Sequence, residues 1–362
     1  MGTETRGERP DRSYLHIGLP KTGTTYVQQL LWHNRDALAT QRVHLPLAAE
    51  STAAHRYAAA DLCDPARFHG NPAAERLTWQ RLVEDAHAAA GTTLVSDELL
   101  ASATHEQVAR AVNDLAPTEI HVIVTVRDLA RHLPSVWQQA VRFRDKRTFD
   151  EYLLWLSADD APVWNRHDAP TVLRRWREHL PADRLHVIAV PPPGSSHTAL
   201  WERFAQVVGI GADGLDLDVP RDNASLGAAQ IELLRRFNAG LGDRVPAPRA
   251  YRRSVSFGLL HDLREPDLQL GRITLPPQWT SWVAERAERM IAELQALECD
   301  FIGSWDDLRP SAPIPEDDET TDADLARIAI EALRANVSRS DELRQQVQRL
   351  RKRLASSGGT SS

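Results

Sequence analysis

The sequence predicts a three-layer α/β fold, a central parallel sheet flanked by helices, with a helical tail at the C-terminus. Two stretches predict it. The first is a short apolar segment, Tyr14 to Ile17, running through a glycine-bearing loop into Val27, Leu30, Leu31 and Leu38 at helical spacing. The second is Ile120-His-Val-Ile-Val-Thr-Val126, whose nearly continuous apolar character implies burial on both faces, as in a parallel sheet. Strands alternating with helices between and after these complete the layered architecture.

In chain order, residues 1–12 are polar and charged and read as a disordered leader. After the first strand, loop and helix comes a short extended piece, Arg42 to Pro46. An Ala-rich helical region with His55, Tyr57 and Trp79 runs to about Ala90, interrupted by Asp64-Pro65 and Asn71-Pro72 and ended by Gly91. Thr92 to Val95 is a short buried strand that delivers Ser96-Asp97-Glu98 at its carboxyl end. Thr104 to Leu115 is an amphipathic helix, with Thr104 as N-cap and Gln107 as its capping-box partner. Beyond Arg127, the positions Leu133, Val136, Trp137, Ala140 and Val141 mark a helix. Pro134 is expected in its first turn, with Ser135 near the N-terminus. Leu185 to Val190 is another central strand, and helices follow around 198–208 and 225–239. Residues 307–323 read as a Pro-rich then acidic linker, and 324–362 as a helical tail with a disordered end. In that tail Leu343, Val347, Leu350 and Leu354 are spaced four-three-four, which would allow self-association.

The loop after the first strand is an anion cradle. Turn N–H groups and the positive end of the helix dipole converge where a phosphate would sit. Gly18 and Gly23 have the spacing of a nucleoside-triphosphate loop, but Thr24 and Thr25 stand where that pattern requires Lys and then Ser or Thr. The lysine is instead Lys21, inside the loop. Of 43 basic residues only Lys21, Lys146 and Lys352 are lysines, so a compact ammonium at position 21 marks a site where a planar guanidinium would not substitute.

The segment Pro20-Lys-Thr-Gly-Thr-Thr25 resembles the loop that binds the 5′-phosphosulfate of 3′-phosphoadenosine 5′-phosphosulfate (PAPS) in PAPS-dependent sulfotransferases. That family's second signature is an arginine leaving a buried strand, then seven residues, then a serine. Arg127 and Ser135 fit it. The resemblance covers two short motifs and extends plausibly over residues 13–306 as one P-loop-like domain. It implies Lys21 as the cation at the bridging oxygen, Pro20, Thr22, Gly23, Thr24 and Thr25 around the 5′ end, and Arg127 and Ser135 on the 3′-phosphate. PAPS is then the donor and 3′,5′-bisphosphoadenosine (PAP) the product, with no metal required.

The base is left open between several groups. Cytosolic sulfotransferases carry a catalytic histidine after the strand preceding the 3′-phosphate motif, where this chain has Ser96-Asp97-Glu98. Glycan-modifying members use a glutamate, which makes Glu98 a chemically sensible substitute. His55 and His44 compete with it, and His167 is a weaker rival. The family's glycine-rich adenosine clasp is absent in its usual form; Arg221 to Gly227, with Asn223 or Ser225, lies in roughly that region, although Ser225 equally suits a helix N-cap.

Bulk numbers narrow the partners. At 362 residues, 42% hydrophobic and 26% charged, the chain has the composition of a globular protein with a substantial core. A net charge of −7 argues against bulk nucleic-acid or anionic-membrane binding, so an anionic ligand must be held by local cations. Cys63 and Cys299 are too isolated for a disulfide framework or a zinc site, and no apolar run reaches the ~18 residues of a membrane span. The expectation is a cytoplasmic protein, and the heavy use of Ala and Arg suggests a GC-rich bacterial genome. The acceptor would be a hydroxyl of a small molecule, glycan or glycolipid. Alternatives are a nucleotide-dependent kinase or ATPase, with Asp128 as its nearest metal-binding candidate, and a non-catalytic nucleotide-binding scaffold.

Overall fold

The computed structural model describes residues 12–219, 226–242, 251, 255, 271–310 and 320–357. The chain divides into two compact units, one of Met1–Leu133, Leu154–Arg221 and Pro276–Ala312, the other of Pro134–Leu153, Asp222–Leu275 and Pro313–Ser362.

The first unit is built on a parallel sheet of β1 (Arg12–Gly18), β2 (Val43–His44), β3 (Thr92–Ser96), β4 (Glu119–Val126), β5 (Leu185–Ala189) and β6 (Asp300–Ile302). Their spatial order is β2-β3-β1-β4-β5-β6. All pairings are parallel, with His16 opposite Ser96 on one side and Gly18 opposite Val124 on the other. Seven of the eight residues of β4 are buried, because Ile120, Val122, Ile123, Val124 and Val126 face packed layers on both sides. Each such side chain contributes about 1.5–3 kcal/mol of transfer free energy. From β1 the chain runs to β2 and β3 on one side, then returns to β4, β5 and β6 on the other. The carboxyl end of β1 is therefore a switch point, where open α/β sheets form their ligand crevice.

The helix Thr24–His33 packs on this sheet through Val27, Leu30 and Leu31, in one apolar cluster with Trp201 and Phe204 of the helix Ala199–Val208. The helix His105–Leu115 begins as expected. Thr104 Oγ1 accepts from Gln107 N–H, and Gln107 Oε1 accepts from Thr104 N–H.

The helix after Arg127 begins earlier than expected. It spans Leu129–Arg142, so Pro134 is its sixth residue and lies inside it. The cause is Asp128, whose carboxylate accepts the N–H of Arg131 and so supplies an N-terminal cap that the apolar spacing did not reveal. Pro134 cannot donate to the Ala130 carbonyl, a defect the helix absorbs.

The second unit contains the helices Ala228–Leu241 and Asp322–Ser357. Asn238 is fully buried; its amide donates to the carbonyls of Val141 and Asp145 and accepts from the Tyr251 hydroxyl. The long C-terminal helix packs on Ala228–Leu241 and buries Leu325, Ile328 and Ala332, while Leu343, Val347 and Leu350 are exposed. Gly227 is the N-cap of Ala228–Leu241; Asn223 and Ser225 lie outside the described residues. Among the described residues, no helix is long and apolar enough to cross a membrane.

Candidate active site

The loop at the switch point is held in an unusual backbone path. Gly18, Lys21 and Gly23 have φ of 116°, 70° and 91°. A Cβ at Gly23 would come within 2.6 Å of Leu200 Cδ2, and one at Gly18 within 3.2 Å of Pro20 N and 3.4 Å of Glu98 Cβ. Both glycines are thus required by conformation and by close approach. Leu19 N–H donates to Thr125 O, tying the loop to β4. The Thr22 hydroxyl lies 2.5 Å from both Leu19 O and Thr125 Oγ1, and Thr125 Oγ1 lies 3.0 Å from Gly18 O. Thr22 is buried and its hydroxyl serves the loop itself, so its side chain is a brace and only its backbone is available to a ligand. Pro20 and Thr24 are buried as well, Lys21 and Gly23 are partly exposed and Thr25 is exposed. Gly23 caps the helix Thr24–His33 without any side-chain hydrogen bond; Tyr26 N–H turns back to Gly23 O, and the N–H groups of Thr24 and Thr25 have no capping side chain, the arrangement by which helix N-termini can bind anions.

Glu98 stands beside this loop, as the 3.4 Å approach of its Cβ to the Gly18 position records. It opens a short 3₁₀ turn, Glu98–Ser102, immediately past β3. Gln28 of the first helix reaches Glu98 Oε2 at 3.5 Å and Ser96 O at 3.3 Å, and Arg56 lies 4.0 Å from Glu98 Oε1. The neighbouring Asp97 is buried and accepts from Leu99 N–H. Burial, then the Glu98 charge, push its carboxyl up to about 7, against the pull of the Leu99 N–H and of Arg56 and Arg67.

His55 does not present a free nitrogen. It is buried, its Nε2–H donates to Pro46 O at 2.9 Å, and its Nδ1 accepts from Ser96 N–H at 3.1 Å. Desolvation lowers its pKa to about 4. His55 therefore fixes the end of β3 and, contrary to the expectation that it competes as the base, offers no ring nitrogen to an acceptor. His44 pairs with Asp85 at 3.2 Å.

Arg127 leaves β4, the neighbour of β1, just past its carboxyl end. Its Nε is buried and has no hydrogen-bond partner among the described residues. Desolvation, and then the Arg131 charge, lower its pKa, with Asp128 opposing them. Asp128 is 1% exposed and pairs with Arg131 Nε, so its carboxylate is committed within the protein. Ser135 is the seventh residue of Leu129–Arg142 and falls in the second unit. It is mid-helix and not near the N-terminus.

Two histidines distant in sequence meet in the fold. His132, four residues into Leu129–Arg142, meets His167 at the end of the short helix Trp164–His167, with His132 Nε2 3.2 Å from His167 Nδ1. The charge of Lys21 acts on both rings. Thirty-five residues separate the two histidines, and no local pattern announces their meeting.

Residues 11–185 match the family model described as "Sulfotransferase domain". No curated protein matches the chain. Among solved structures, a sulfotransferase from Alicyclobacillus acidocaldarius aligns with 82% of this chain and 99% of its own at 14% identity, with a TM-score of 0.44.

Proposed function

We propose that this chain, whose residues 11–185 match the sulfotransferase domain model, moves a sulfuryl group from PAPS to a hydroxyl of a small molecule, glycan or glycolipid. The observation that carries the choice of donor is the buried, unpartnered Nε of Arg127 at the end of β4. A desolvated guanidinium with an open donor costs free energy unless an anion completes it, and the 3′-phosphate of PAPS is such an anion. The uncapped first turn of Thr24–His33 supports a second anion one strand away, at the 5′ end.

In this reading Lys21 and the N–H groups of Thr22 to Thr25 hold the 5′ phosphosulfate. Glu98 takes the acceptor's proton as its oxygen attacks sulfur. The bond from sulfur to the bridging oxygen breaks, and the charge that develops on the departing phosphate falls to Lys21. The closeness of Glu98 to Gly18 supports its place beside the transferred group. Arg56 and Gln28 keep its carboxylate oriented. The kinase alternative loses its nearest metal-binding candidate, because Asp128 is buried and bound to Arg131.

Calorimetric titration with PAP, set against ATP with magnesium, tests the proposal on wild type and on Arg127→Ala. PAP should bind well and ATP poorly, and the variant should lose about 10–100-fold in PAP affinity, the worth of a hydrogen bond to a charged group. Preferential binding of ATP with magnesium, or PAP binding indifferent to Arg127, would overturn the donor assignment.

A further inference from the structure

His132 and His167 are 1% and 2% exposed, and their rings share one hydrogen bond between His132 Nε2 and His167 Nδ1. The two remaining nitrogens, His132 Nδ1 and His167 Nε2, are buried and have no partner among the described residues. Two orphaned polar atoms on one buried pair are costly in a ligand-free protein. Both rings are neutral: desolvation comes first, reinforced for His132 by Arg127 and Lys21, and for His167 by His132, Arg166 and Lys21. Two neutral imidazoles carry two N–H protons. One occupies the shared bond, so the outward nitrogens hold one proton between them.

Covalent geometry says which outward atom can reach a ligand. Nδ1 is the ring nitrogen nearer the backbone, so His132 Nδ1 stays close to its own helix, whereas Nε2 is at the far end of the His167 ring. An anion at His167 Nε2 would require a donor there, a condition met by the tautomer in which His132 Nε2–H donates to His167 Nδ1 and His167 Nε2 keeps its proton. The mounting of His167 is rigid. Arg175 donates to Ala101 O and to Asn165 O, which ties the turn carrying Glu98 to the helix carrying His167. Asp168, next in sequence, pairs with Arg286 and accepts from Thr171 N–H.

We propose that His167 Nε2–H is a neutral donor to the 5′-phosphate end of the bound nucleotide, and that His132 is a positioning residue that fixes the tautomer of His167. The inference rests on the PAPS reading of the site. It adds a recognition group that neither the loop motif nor the Arg127 motif contains. A neutral donor suits this place, because a third cation beside Lys21 and Arg127 would meet their repulsion in a desolvated site.

The test uses the full chain and two probes, PAP and adenosine 3′-monophosphate, which lacks the 5′ phosphate. His167→Asn keeps an acceptor at the Nδ1 position but removes Nε2. It should weaken PAP about tenfold, leave adenosine 3′-monophosphate unchanged and leave the melting temperature of the free protein unchanged or higher. His132→Gln retains a donor at the Nε2 position and should bind PAP like wild type, whereas His132→Leu should lose several-fold. In ¹⁵N spectra of histidine-labelled wild type, the protonated Nε2 of His167 should shift when PAP saturates the site and not with adenosine 3′-monophosphate. Wild-type affinity in His167→Asn, an equal loss for both nucleotides, or an unmoved Nε2 resonance would each overturn the proposal. Failure of the underlying reading looks different: PAP would then bind no better to wild type than to Arg127→Ala.

Discussion

Asp97 and Glu98 are adjacent carboxylates with different surroundings, and their expected responses to amidation separate them. Glu98 is partly exposed beside the phosphate loop, and Glu98→Gln should lower kcat for turnover of PAPS to PAP, with water as acceptor, by about 10²–10⁴-fold. The KM for PAPS should change little, because the lost group acts on the acceptor. Asp97 is buried, and its folded pKa is raised from 3.8 to about 7. Between those values the folded state holds a proton that the unfolded state has released, so stability declines as pH rises from about 4 to 7. Asp97→Asn keeps the acceptor for Leu99 N–H and removes this linkage. Its melting temperature should exceed that of wild type at pH 8 and approach it at pH 4. A constant difference across that range would show that Asp97 is ionised throughout.

At the scale of the element, the strand-loop-helix unit depends on Gly23. It holds a left-handed φ of 91° at the N-cap, and an added Cβ would press on Leu200 of the helix Ala199–Val208. Gly23→Ala should cost about 1–2 kcal/mol from the backbone alone. It should also weaken PAP, because the first-turn N–H groups would no longer converge, and denaturant melts with and without PAP would separate the two effects. Elements of this local kind were legible in the sequence. The loop between β1 and the first helix, the buried run of β4 and the Thr104–Gln107 capping box all declare themselves within a dozen residues. The start of Leu129–Arg142 is not legible from apolar spacing, because the residue that sets it is polar: the Asp128 carboxylate caps the helix. The bracing role of His55 is hidden from the sequence for a different reason. Its partners, Pro46 O and Ser96 N–H, are backbone groups on two other segments, and only tertiary packing brings them to one ring. The meeting of His132 and His167 was hidden in the same way.

Across the first unit, four of the six buried histidines among the described residues, His16, His55, His132 and His167, are held neutral, and burial lowers His121 in the same sense. Burial is the leading cause at each; it lowers His16 and His132 to about 3, His55 to about 4 and His167 well below its ordinary value. In the unfolded chain each takes up a proton below about 6.5, so the unfolded state binds more protons and stability is lost as pH falls from about 6.5 towards 4. Asp97 works in the opposite sense over the same interval and cancels one of the four protons. A net uptake of at least about three protons on unfolding, to which His121 adds, corresponds to roughly 4 kcal/mol per pH unit or more. Set against the about 5–15 kcal/mol that a typical domain has in hand, this should bring the ligand-free protein close to its unfolding midpoint near pH 5. Urea melts between pH 7.5 and 5 should therefore show a steep fall in stability, with a slope that gives the proton count directly. His55→Gln should make that slope shallower by about one proton. A stability that stays flat from pH 7 to 5 would mean that these rings gain protons in the folded state, and the neutral His132–His167 pair on which the added nucleotide contact depends would be lost with it.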